Sequence, residues 1–484
     1  MDSLALKNST KVLALVGILL SLFFTLPVAV GFLADEKVGR FMLFDLGLFV
    51  LSVVGYLYVR KHPLQMRIKD AILTVNIIWL FLGLTGAIPF VLSTHVGFVD
   101  GFFEAVSGYT TTGATIYRDI EALPMHILLL RSLMHWLGGM GIIVLGVGLF
   151  SLINPTGSMA LFKAEATGNK LEKYSAKIRD TALRIWGVYV VLTLIDMGLL
   201  WGEGMSLFDA LNHALSTLST GGFSTRNASM AYWDSHPMIL WTTTVFMLLA
   251  GVNFLAHLRA FKGDFGGYRG EEVRWYLIAF VGLSIVLAWY RIDTSLDSPA
   301  HAVTHAFFSV ASILTTTGFG STNYEEWGVA AVVIIFVAML IGGNAGSTAG
   351  GFKVSRYVVL MKNIGFQTRR LLHPKAVTAL YVDGQRVTYD TLGVITGFAL
   401  IFTLSNMLLT FFLYARGYDL LTSVSTAIAM VGNIGPGFGR VGVVENYAFF
   451  SGFEKLVLSG AMILGRLEFY TVILLFSRTY WKRF

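Results

Sequence analysis

The sequence has 484 residues, of which 55% are hydrophobic and 13% are charged, against roughly 25% charged residues in an ordinary soluble protein. So much apolar surface excludes a soluble globular fold and predicts an all-α polytopic membrane protein. The net charge of +7 is modest, no nucleic-acid partner is expected, and the absence of cysteine excludes disulfides, thiolate metal sites and cysteine nucleophiles.

Ten apolar segments approach the roughly 20 helical residues that cross a bilayer core of about 30 Å. They lie near 12–33, 41–59, 71–93, 124–153, 182–202, 237–261, 273–290, 329–360, 388–415 and 453–477. The first segment is interpreted as a span and not as a cleaved signal peptide, because a second span follows it closely in place of a cleavage site.

Basic residues alternate between the loops and predict the orientation. Most of the 36 lysines and arginines fall near 7–11, 60–69, 163–184, 259–274, 353–386 and 478–483. These stretches are the chain ends and the loops after even-numbered spans, so the positive-inside rule places both termini in the cytoplasm. Solvated loop surfaces are an alternative explanation, but the regular alternation favours topology.

A Thr/Gly cluster recurs after the third, fifth, seventh and ninth spans, at 109–115, 218–225, 314–321 and 431–439. The clusters align on Gly113, Gly222, Gly318 and Gly435. Six residues earlier stand Ser107, Ser216, Ser312 and, as the exception, Ala429; thirteen earlier stand Asp100, Asp209, His305 and Thr422.

Each stretch before a cluster predicts a helix of about three turns, too short to span. A short helix followed by an extended return is typical of a re-entrant segment, which must be buried in protein or line a water-filled path. Four interfacial loops with Thr/Gly turns are the alternative.

Thr and Gly in such segments favour a site for a monovalent cation. Glycine adopts positive φ without steric cost, so four segments around an axis can present rings of carbonyl oxygens that replace an ion's hydration shell. The clusters contain no carboxylate, whereas calcium or magnesium would need several. The predicted ion-binding residues are Thr111, Thr112, Gly113, Thr220, Gly221, Gly222, Thr316, Thr317, Gly318, Asn433, Ile434 and Gly435.

Four motifs carry a family resemblance: SGYTTTGAT at 107–115, HWLGGMG at 135–141, GGNAGSTAGGFK at 342–353 and GRLE at 465–468. From about residue 70 to the C-terminus the chain resembles the Trk/Ktr/HKT superfamily of potassium transporters. Its two additional N-terminal spans resemble the bacterial TrkH-type branch. The implied organisation is a two-helix region (1–66) followed by pore repeats at 67–160, 161–265, 266–375 and 376–484.

The resemblance implies potassium uptake across the bacterial inner (plasma) membrane, with potassium as substrate and no enzymatic activity. In this family each repeat contributes one glycine to the selectivity filter, a feature associated with a preference for potassium. All four repeats of this sequence keep that glycine. The fourth copy departs most from the others, at Asn433, Ile434 and Pro436.

The resemblance also implies partners and regulation. A homodimer with one pore per protomer is expected, and this chain is expected to bind no cofactor. NAD or ATP would bind a separate cytosolic nucleotide-binding regulatory subunit (TrkA-like). The basic loops 163–184 and 353–375 are candidate docking surfaces for it, although the positive-inside rule alone also explains their charge.

Five glycines within ten residues of the eighth span weaken its helix, by about 1 kcal/mol each relative to alanine. Close helix packing through small residues is one explanation. The resemblance implies the other, an intramembrane gating loop in the third repeat, composed of Gly342, Gly343, Asn344, Ala345, Gly346, Ser347, Thr348, Ala349, Gly350 and Gly351.

Arg466 lies near the middle of the last span, where an arginine costs roughly 2.5–3.5 kcal/mol and normally faces a cavity or a partner. The resemblance implies that it stands beside the loop as an electrostatic barrier to cations. Lys353 is either a pore-facing charge or a cytoplasmic anchor, and Glu468 is expected to pair with another helix. His301 and His305 are four residues apart but lack the glutamate of a zinc-protease helix, so a structural role is expected for them.

Two mechanisms stay open. One is a gated channel in which the membrane potential drives potassium inward. The other is a proton- or sodium-coupled symporter. The uncharged permeation motifs, and the lack of a buried acid that recurs among the repeats, favour the channel.

Overall fold

The computed structural model describes residues 3–62, 68–144, 172–294, 298–373 and 379–481. Within these ranges six helices are long and apolar enough to cross a membrane, and two bent helix pairs raise that number to eight. The predicted fourth span beyond residue 144 lies outside the described residues. So do six of the basic positions used for topology, at 67, 163, 170, 375, 482 and 483.

The described chain is almost entirely helical. The α-helices are α1 (Ser3–Leu33), α2 (Gly39–Val59), α3 (Ile68–Thr94), α4 (Phe98–Tyr109), α5 (Met125–Val144), α6 (Glu172–Gly202), α7 (Leu207–Leu218), α8 (Pro237–Ala250), α9 (Phe254–Ala260), α10 (Glu271–Thr294), α11 (Pro299–Leu314), α12 (Val329–Ile341), α13 (Val354–Leu372), α14 (Tyr389–Ala415), α15 (Leu420–Val431), α16 (Gly452–Arg466), α17 (Tyr470–Phe476) and α18 (Arg478–Trp481). Short 3-10 helices occupy Ser229–Trp233, Phe265–Arg269, Tyr324–Trp327 and Gly439–Val441. Strands β1 (Tyr381–Val382) and β2 (Gln385–Arg386) form an antiparallel hairpin in which Tyr381 faces Arg386.

One pattern recurs four times: a long helix, a short helix, an extended segment and a further helix. We call each occurrence a repeat; the four begin at α3, α6, α10 and α14. The short helices α4, α7, α11 and α15 have 12, 12, 16 and 12 residues. At 1.5 Å per residue they reach roughly 18–24 Å, less than a bilayer core. All four short helices predicted from the sequence are therefore present.

Side-chain caps fix where three of the short helices begin. Ser206, Ser298 and Asp419 each accept a hydrogen bond from a backbone N–H in the first turn, which satisfies one of the free donors at a helix start. Gly97, before α4, has no side chain to do this. Each short helix packs against the long helix before it, so the repeats bury their short helices at the centre and leave apolar side chains such as Leu80, Trp289 and Phe411 exposed on the long helices.

Three predicted spans are interrupted by non-helical chain. The break in 329–360, between α12 and α13, agrees with the loop that the resemblance implies. The spans predicted over 237–261 and 453–477 are not continuous helices, because α8 and α9 meet at 103° and α16 and α17 at 117°. Asn253 caps α9 through the N–H of Leu255 at 2.8 Å, while Glu468 and Phe469 take positive φ values of 54° and 61°. The side-chain cap at Asn253 begins a new helix after the break, whereas the positive φ values at Glu468 and Phe469 interrupt the last predicted span.

Candidate functional site

Four backbone segments, one from each repeat, form a closed ring that we call the glycine ring. Each segment consists of one of the glycines Gly113, Gly222, Gly318 and Gly435 together with the two residues before it. A methyl group added to Gly113 would come within 3.0 Å of the carbonyl oxygen of Gly221 in the second repeat, too close for non-bonded atoms. The same contact recurs around the cycle in the pairs Gly222–Thr317, Gly318–Ile434 and Gly435–Thr112. The fourth repeat thus closes back onto the first, and each contact uses the carbonyl of the residue before a ring glycine.

The four ring segments share one backbone conformation. Their glycines have φ values of 80°, 86°, 85° and 95°. Two residues earlier, Thr111, Thr220, Thr316 and Asn433 also have positive φ, from 53° to 57°. Non-glycine residues adopt this conformation rarely, and asparagine more readily than most. Asn433 therefore keeps in the fourth repeat the conformation that threonine holds in the other three.

A common hydrogen bond fixes this conformation. In each repeat, the residue just before the ring glycine donates its N–H to a main-chain carbonyl in the last turns of the short helix, at 2.8–2.9 Å. The donor–acceptor pairs are Thr112–Ser107, Gly221–Ser216, Thr317–Ser312 and Ile434–Ala429. The acceptor is a main-chain oxygen, so the alanine in the fourth copy changes nothing. A left-handed residue with such a bond is a usual way to end a helix.

Side chains add contacts that differ between repeats. The hydroxyls of Thr110 and Thr112 are 2.7 Å apart, and those of Thr315 and Thr317 make the same contact. Asn433 donates from Nδ2 to the Thr112 hydroxyl at 3.0 Å, which joins the fourth repeat to the first. The ring is fourfold in its backbone but not in its side chains.

The extended segments after the ring are tied to their own short helices. Asp209 accepts from the Thr225 hydroxyl at 2.6 Å, and His305 Nδ1 lies 2.9 Å from the Ser321 hydroxyl. In the fourth repeat the Thr422 hydroxyl accepts from the N–H of Arg440 at 3.2 Å. The position thirteen residues before the glycine therefore has this role in three repeats.

The first repeat uses a different acid, which the sequence analysis missed. Asp100 pairs instead with Lys455 of α16, while Glu104 accepts from the N–H of Ile116 at 2.9 Å. Glu104 is completely buried and is paired at 2.8 Å with Arg131 of α5, which is 1% exposed. The signal available in the sequence was an arginine within an apolar span and a glutamate within a short apolar helix.

Arg131 also reaches the neighbouring repeat. Its Nη1 donates to the carbonyl of Ser224 at 3.1 Å, and its guanidinium carbon lies 3.9 Å from the centre of the Phe223 ring. A buried pair is stable only when its remaining donors are also satisfied. The pair therefore supports both the first and second extended segments.

Further contacts join successive extended segments in the same cyclic order. Their donor–acceptor pairs are Ile120–Asn227 at 2.6 Å, Ala231–Gly320 at 3.0 Å, Gly439–Glu325 at 2.9 Å and Tyr447–Thr115 at 2.8 Å. The contact to Glu325 is partly sheltered from solvent, and burial raises the pKa of that carboxyl. These hydrogen bonds close the four repeats into a cycle a second time, in the extended segments that follow the glycine ring.

Residues 342–351, which we call the glycine loop, lie against the glycine ring. Gly350 donates from its N–H to the Thr316 hydroxyl at 2.7 Å, and Gly351 donates to the carbonyl of Gly432 at 2.8 Å. The loop also fills the break between α8 and α9, where Asn344 donates to the carbonyl of Gly251 at 2.9 Å. It therefore contacts the second, third and fourth repeats.

The loop's own residues explain its shape. Gly342, Gly346 and Gly351 have φ values from 72° to 80°, a range that strongly favours glycine. The Ser347 hydroxyl bonds the carbonyl of Asn344 at 2.6 Å, within the loop. A methyl group on Gly343 would overlap Ala349. The Ala345 N–H donates to Glu272 of α10 at 2.6 Å.

Arg466 joins the loop to the first repeat. Its Nη1 donates to the carbonyl of Thr348 at 2.8 Å, and its Nη2 donates to the carbonyls of Gly138 and Gly139 at 3.0 and 3.3 Å. The side chain is buried, and in the described part of the chain no salt bridge joins it to a carboxylate. A methyl group on Gly138 would strike the carbonyl of Tyr109, so this glycine lets α5 approach the ring.

Glu468 pairs with Lys353 at 2.9 Å and with Arg356 at 2.7 Å. The expectation that it pairs with another helix is confirmed, since Arg356 belongs to α13. Lys353 immediately precedes that helix, and its side chain is held by this acid. The structure thus brings together all twelve predicted ring residues, and it brings Arg466 against the predicted loop.

Comparison with known proteins agrees with this architecture. The family model for TrkH, described as a cation transport protein, matches residues 40–265 and 275–483. The Trk system potassium uptake protein TrkH of Vibrio parahaemolyticus is 34% identical over 490 residues, covering 98% of this chain and 99% of that protein. The protein of the same name in Escherichia coli K12 is 33% identical over 488 residues, with the same coverage.

The fold has a close counterpart among solved structures. The crystal structure of the potassium transporter TrkH from Vibrio parahaemolyticus matches this chain with a TM-score of 0.89 and 32% identity, and covers both chains completely. These relatives are transport proteins and not enzymes. The chain belongs to the TrkH family of cation transport proteins.

Proposed function

We propose that this chain takes up potassium through a channel-like pore whose selectivity filter is the glycine ring. The observation that carries the proposal is the closed cycle in which each ring glycine packs against the carbonyl of the next repeat. Carbonyl oxygens arranged around one axis can replace the hydration shell of potassium. The names of the two relatives, each a potassium uptake protein, support the choice of ion.

The proposed topology has ten spans. Six are the long apolar helices, two are the bent pairs α8–α9 and α16–α17, and the remaining two are α5 and the interrupted segment from α12 to α13. The four pore repeats would occupy 67–160, 161–265, 266–375 and 376–484, after a two-helix region at 1–66. Both termini would lie in the cytoplasm of a bacterium, with the protein in the inner membrane.

The ring residues would bind the ion through their backbone. The carbonyls of Thr112, Gly221, Thr317 and Ile434 would form one layer, since each is the oxygen that packs beside a neighbouring glycine. The short helices end at the ring and would direct their partial negative charges toward it. Differences in side chain among the repeats, such as Ile434, would leave this layer unchanged.

The glycine loop and Arg466 would form the gate. The loop is bound to ring residues on one side and to Arg466 on the other, and the guanidinium adds a positive charge close to the proposed path. A fixed cation there would raise the energy of an ion passing the loop. Displacement of the loop would require these hydrogen bonds to break together, which makes them a suitable switch.

The membrane potential would drive uptake, since one charge moved inward gains about 2.3 kcal/mol per 100 mV. Nucleotide control would come from a separate cytosolic subunit of the TrkA-like kind that binds NAD or ATP, and the chain would assemble as a homodimer. The exposed basic end of α13, with Arg369 and Arg370, is the docking surface we propose for that subunit.

Bilayer recordings of the purified protein test the mechanism. Under a potassium gradient we expect unitary currents far above carrier turnover that reverse at the potassium equilibrium potential. Rubidium should permeate comparably, and sodium and lithium less. A fixed potassium-to-proton or potassium-to-sodium stoichiometry with no unitary currents would instead support the symporter. Gly460→Ala is the control variant, because nothing lies within 4 Å of the added methyl group.

A further inference from the structure

Asp234, His301 and His305 form a cluster between the second and third repeats. Asp234 follows the 3-10 helix Ser229–Trp233, and the two histidines are one turn apart on α11. Nε2 of His305 is 2.8 Å from Oδ1 of Asp234, and Nε2 of His301 is 3.2 Å from the same oxygen. One ligand atom from each residue lies within 4.8 Å of the other two.

This arrangement has the chemistry of a transition-metal site. Two imidazoles four residues apart lie on one face of a helix, and a carboxylate from another element completes three ligands. Tetrahedral zinc with bonds of about 2.0–2.2 Å needs ligand atoms roughly 3.3 Å apart, close to the two nitrogen–oxygen distances of 3.2 and 2.8 Å from the histidines to Asp234. Imidazole suits zinc, copper and nickel, whereas calcium prefers six to eight oxygens.

Solvent can reach two of the three ligands. The side chains of His301 and Asp234 are 42% and 48% exposed, while that of His305 is 2% exposed. A water molecule can therefore complete the coordination on the exposed side. We propose that Asp234, His301 and His305 bind a zinc-class transition-metal ion, with water as the fourth ligand.

The buried ligand connects this site to the glycine ring. Nδ1 of His305 lies 2.9 Å from the hydroxyl of Ser321, which stands three residues after Gly318. A metal on Nε2 requires the ring proton on Nδ1, so His305 donates to Ser321 in the loaded state. The ion thus bridges two repeats and holds the extended segment of the third. The sequence alone could not identify Asp234 as a third ligand, because it lies 67 residues before His301.

Cobalt absorption with zinc competition, on tag-free full-length protein, tests the proposal. We expect one tetrahedral Co²⁺ signal per chain that zinc abolishes. His301→Ala and Asp234→Asn should each weaken binding by about 10- to 100-fold or more. Zinc should raise the melting temperature of the wild type and raise that of the variants less at the same zinc concentration. His305→Ala is a poorer choice, because it also removes the contact to Ser321.

His236→Ala is the matched control. His236 is two residues from Asp234 in the sequence, but its imidazole contacts the Ser235 hydroxyl at 2.9 Å. Removal of this imidazole should therefore leave metal binding unchanged. The proposal is overturned if the wild type shows no zinc-competed cobalt signal. It is also overturned if both ligand variants bind as the wild type does, or if His236→Ala weakens binding equally. None of these readouts depends on ion transport.

Discussion

The glycine ring and the glycine loop touch each other but are built in different ways. The ring repeats one backbone conformation four times, and its side chains vary between copies without changing it. The loop occurs once, and its contacts differ from one another: it forms hydrogen bonds with Thr316, Gly432, Gly251 and Arg466. Repetition suits a site that surrounds an ion. A single asymmetric segment suits the proposed gate, because its displacement would leave the contacts between the ring glycines and their neighbouring carbonyls intact.

The support of the ring gives the largest predicted effect. Arg131→Met should lower the free energy of unfolding by about 3–5 kcal/mol, because it leaves Glu104 charged and unpaired in a buried site. Thermal unfolding in detergent measures this. Adding Glu104→Gln to the same chain should recover part of the loss.

Arg184→Met is the control for that prediction. Arg184 also pairs with an acid, Asp180, but the two side chains are 52% and 59% exposed. An exposed pair contributes at most about 1 kcal/mol, so the variant should unfold close to the wild-type temperature. Equal losses from Arg131→Met and Arg184→Met would refute the role given to the buried pair.

Breaking the ring itself should abolish function with less effect on folding. Gly113→Ala places a methyl group against the carbonyl of Gly221 and forces alanine to positive φ, which alone costs about 1–3 kcal/mol. We expect potassium influx into liposomes to fall by more than about tenfold. Gly460→Ala should match the wild type, and normal influx through Gly113→Ala would count against the filter.

A substitution in the proposed gate should change the potassium flux in the opposite direction. Arg466→Ala removes a positive charge and three hydrogen bonds to the loop and α5, so potassium flux should rise severalfold. Arg466→Lys keeps the charge and should stay nearer to the wild type. Arg478→Ala, at an exposed position, is the control. Unchanged or lower flux in Arg466→Ala would contradict the barrier.

The hydrogen bond between the glycine ring and the glycine loop gives the smallest predicted change in potassium flux. It also offers a closely matched control, because the same substitution can be made at the equivalent threonine of another repeat. Thr316→Val removes the acceptor for the Gly350 N–H, at about 1–3 kcal/mol for a donor left unsatisfied. Flux should rise, but by less than in Arg466→Ala. Thr111→Val changes the equivalent threonine, whose hydroxyl has no partner among the described residues. If both variants behave alike, the hydrogen bond does not hold the loop.

The sequence indicated more of the ring than of its surroundings. Four aligned clusters identified Gly113 and its counterparts, because each copy provides independent evidence for the same local conformation. Sequence spacing did not give the order in which the repeats meet: Gly435 of the last repeat packs against Thr112 of the first. The helix break at Glu468 also escaped prediction, because hydropathy averages over a window whereas two positive φ values act locally.

For features that occur only once in the chain, the sequence indicated the energetic cost of burying a charge but not the geometry that satisfies it. A central arginine must find a partner, so Arg466 drew attention, but its partners are the carbonyls of Thr348, Gly138 and Gly139, which have no side-chain signature. Arg131 is also a charged residue within a predicted span, but its position nearer the end of that span makes the sequence signal weaker.

Rubidium anomalous diffraction from crystals of the protein tests the central claim most directly. The ion should be found inside the glycine ring, coordinated by the carbonyl oxygens of Thr112, Gly221, Thr317 and Ile434. Rubidium bound elsewhere along the chain, with the ring empty in a protein that still conducts, would contradict the claim.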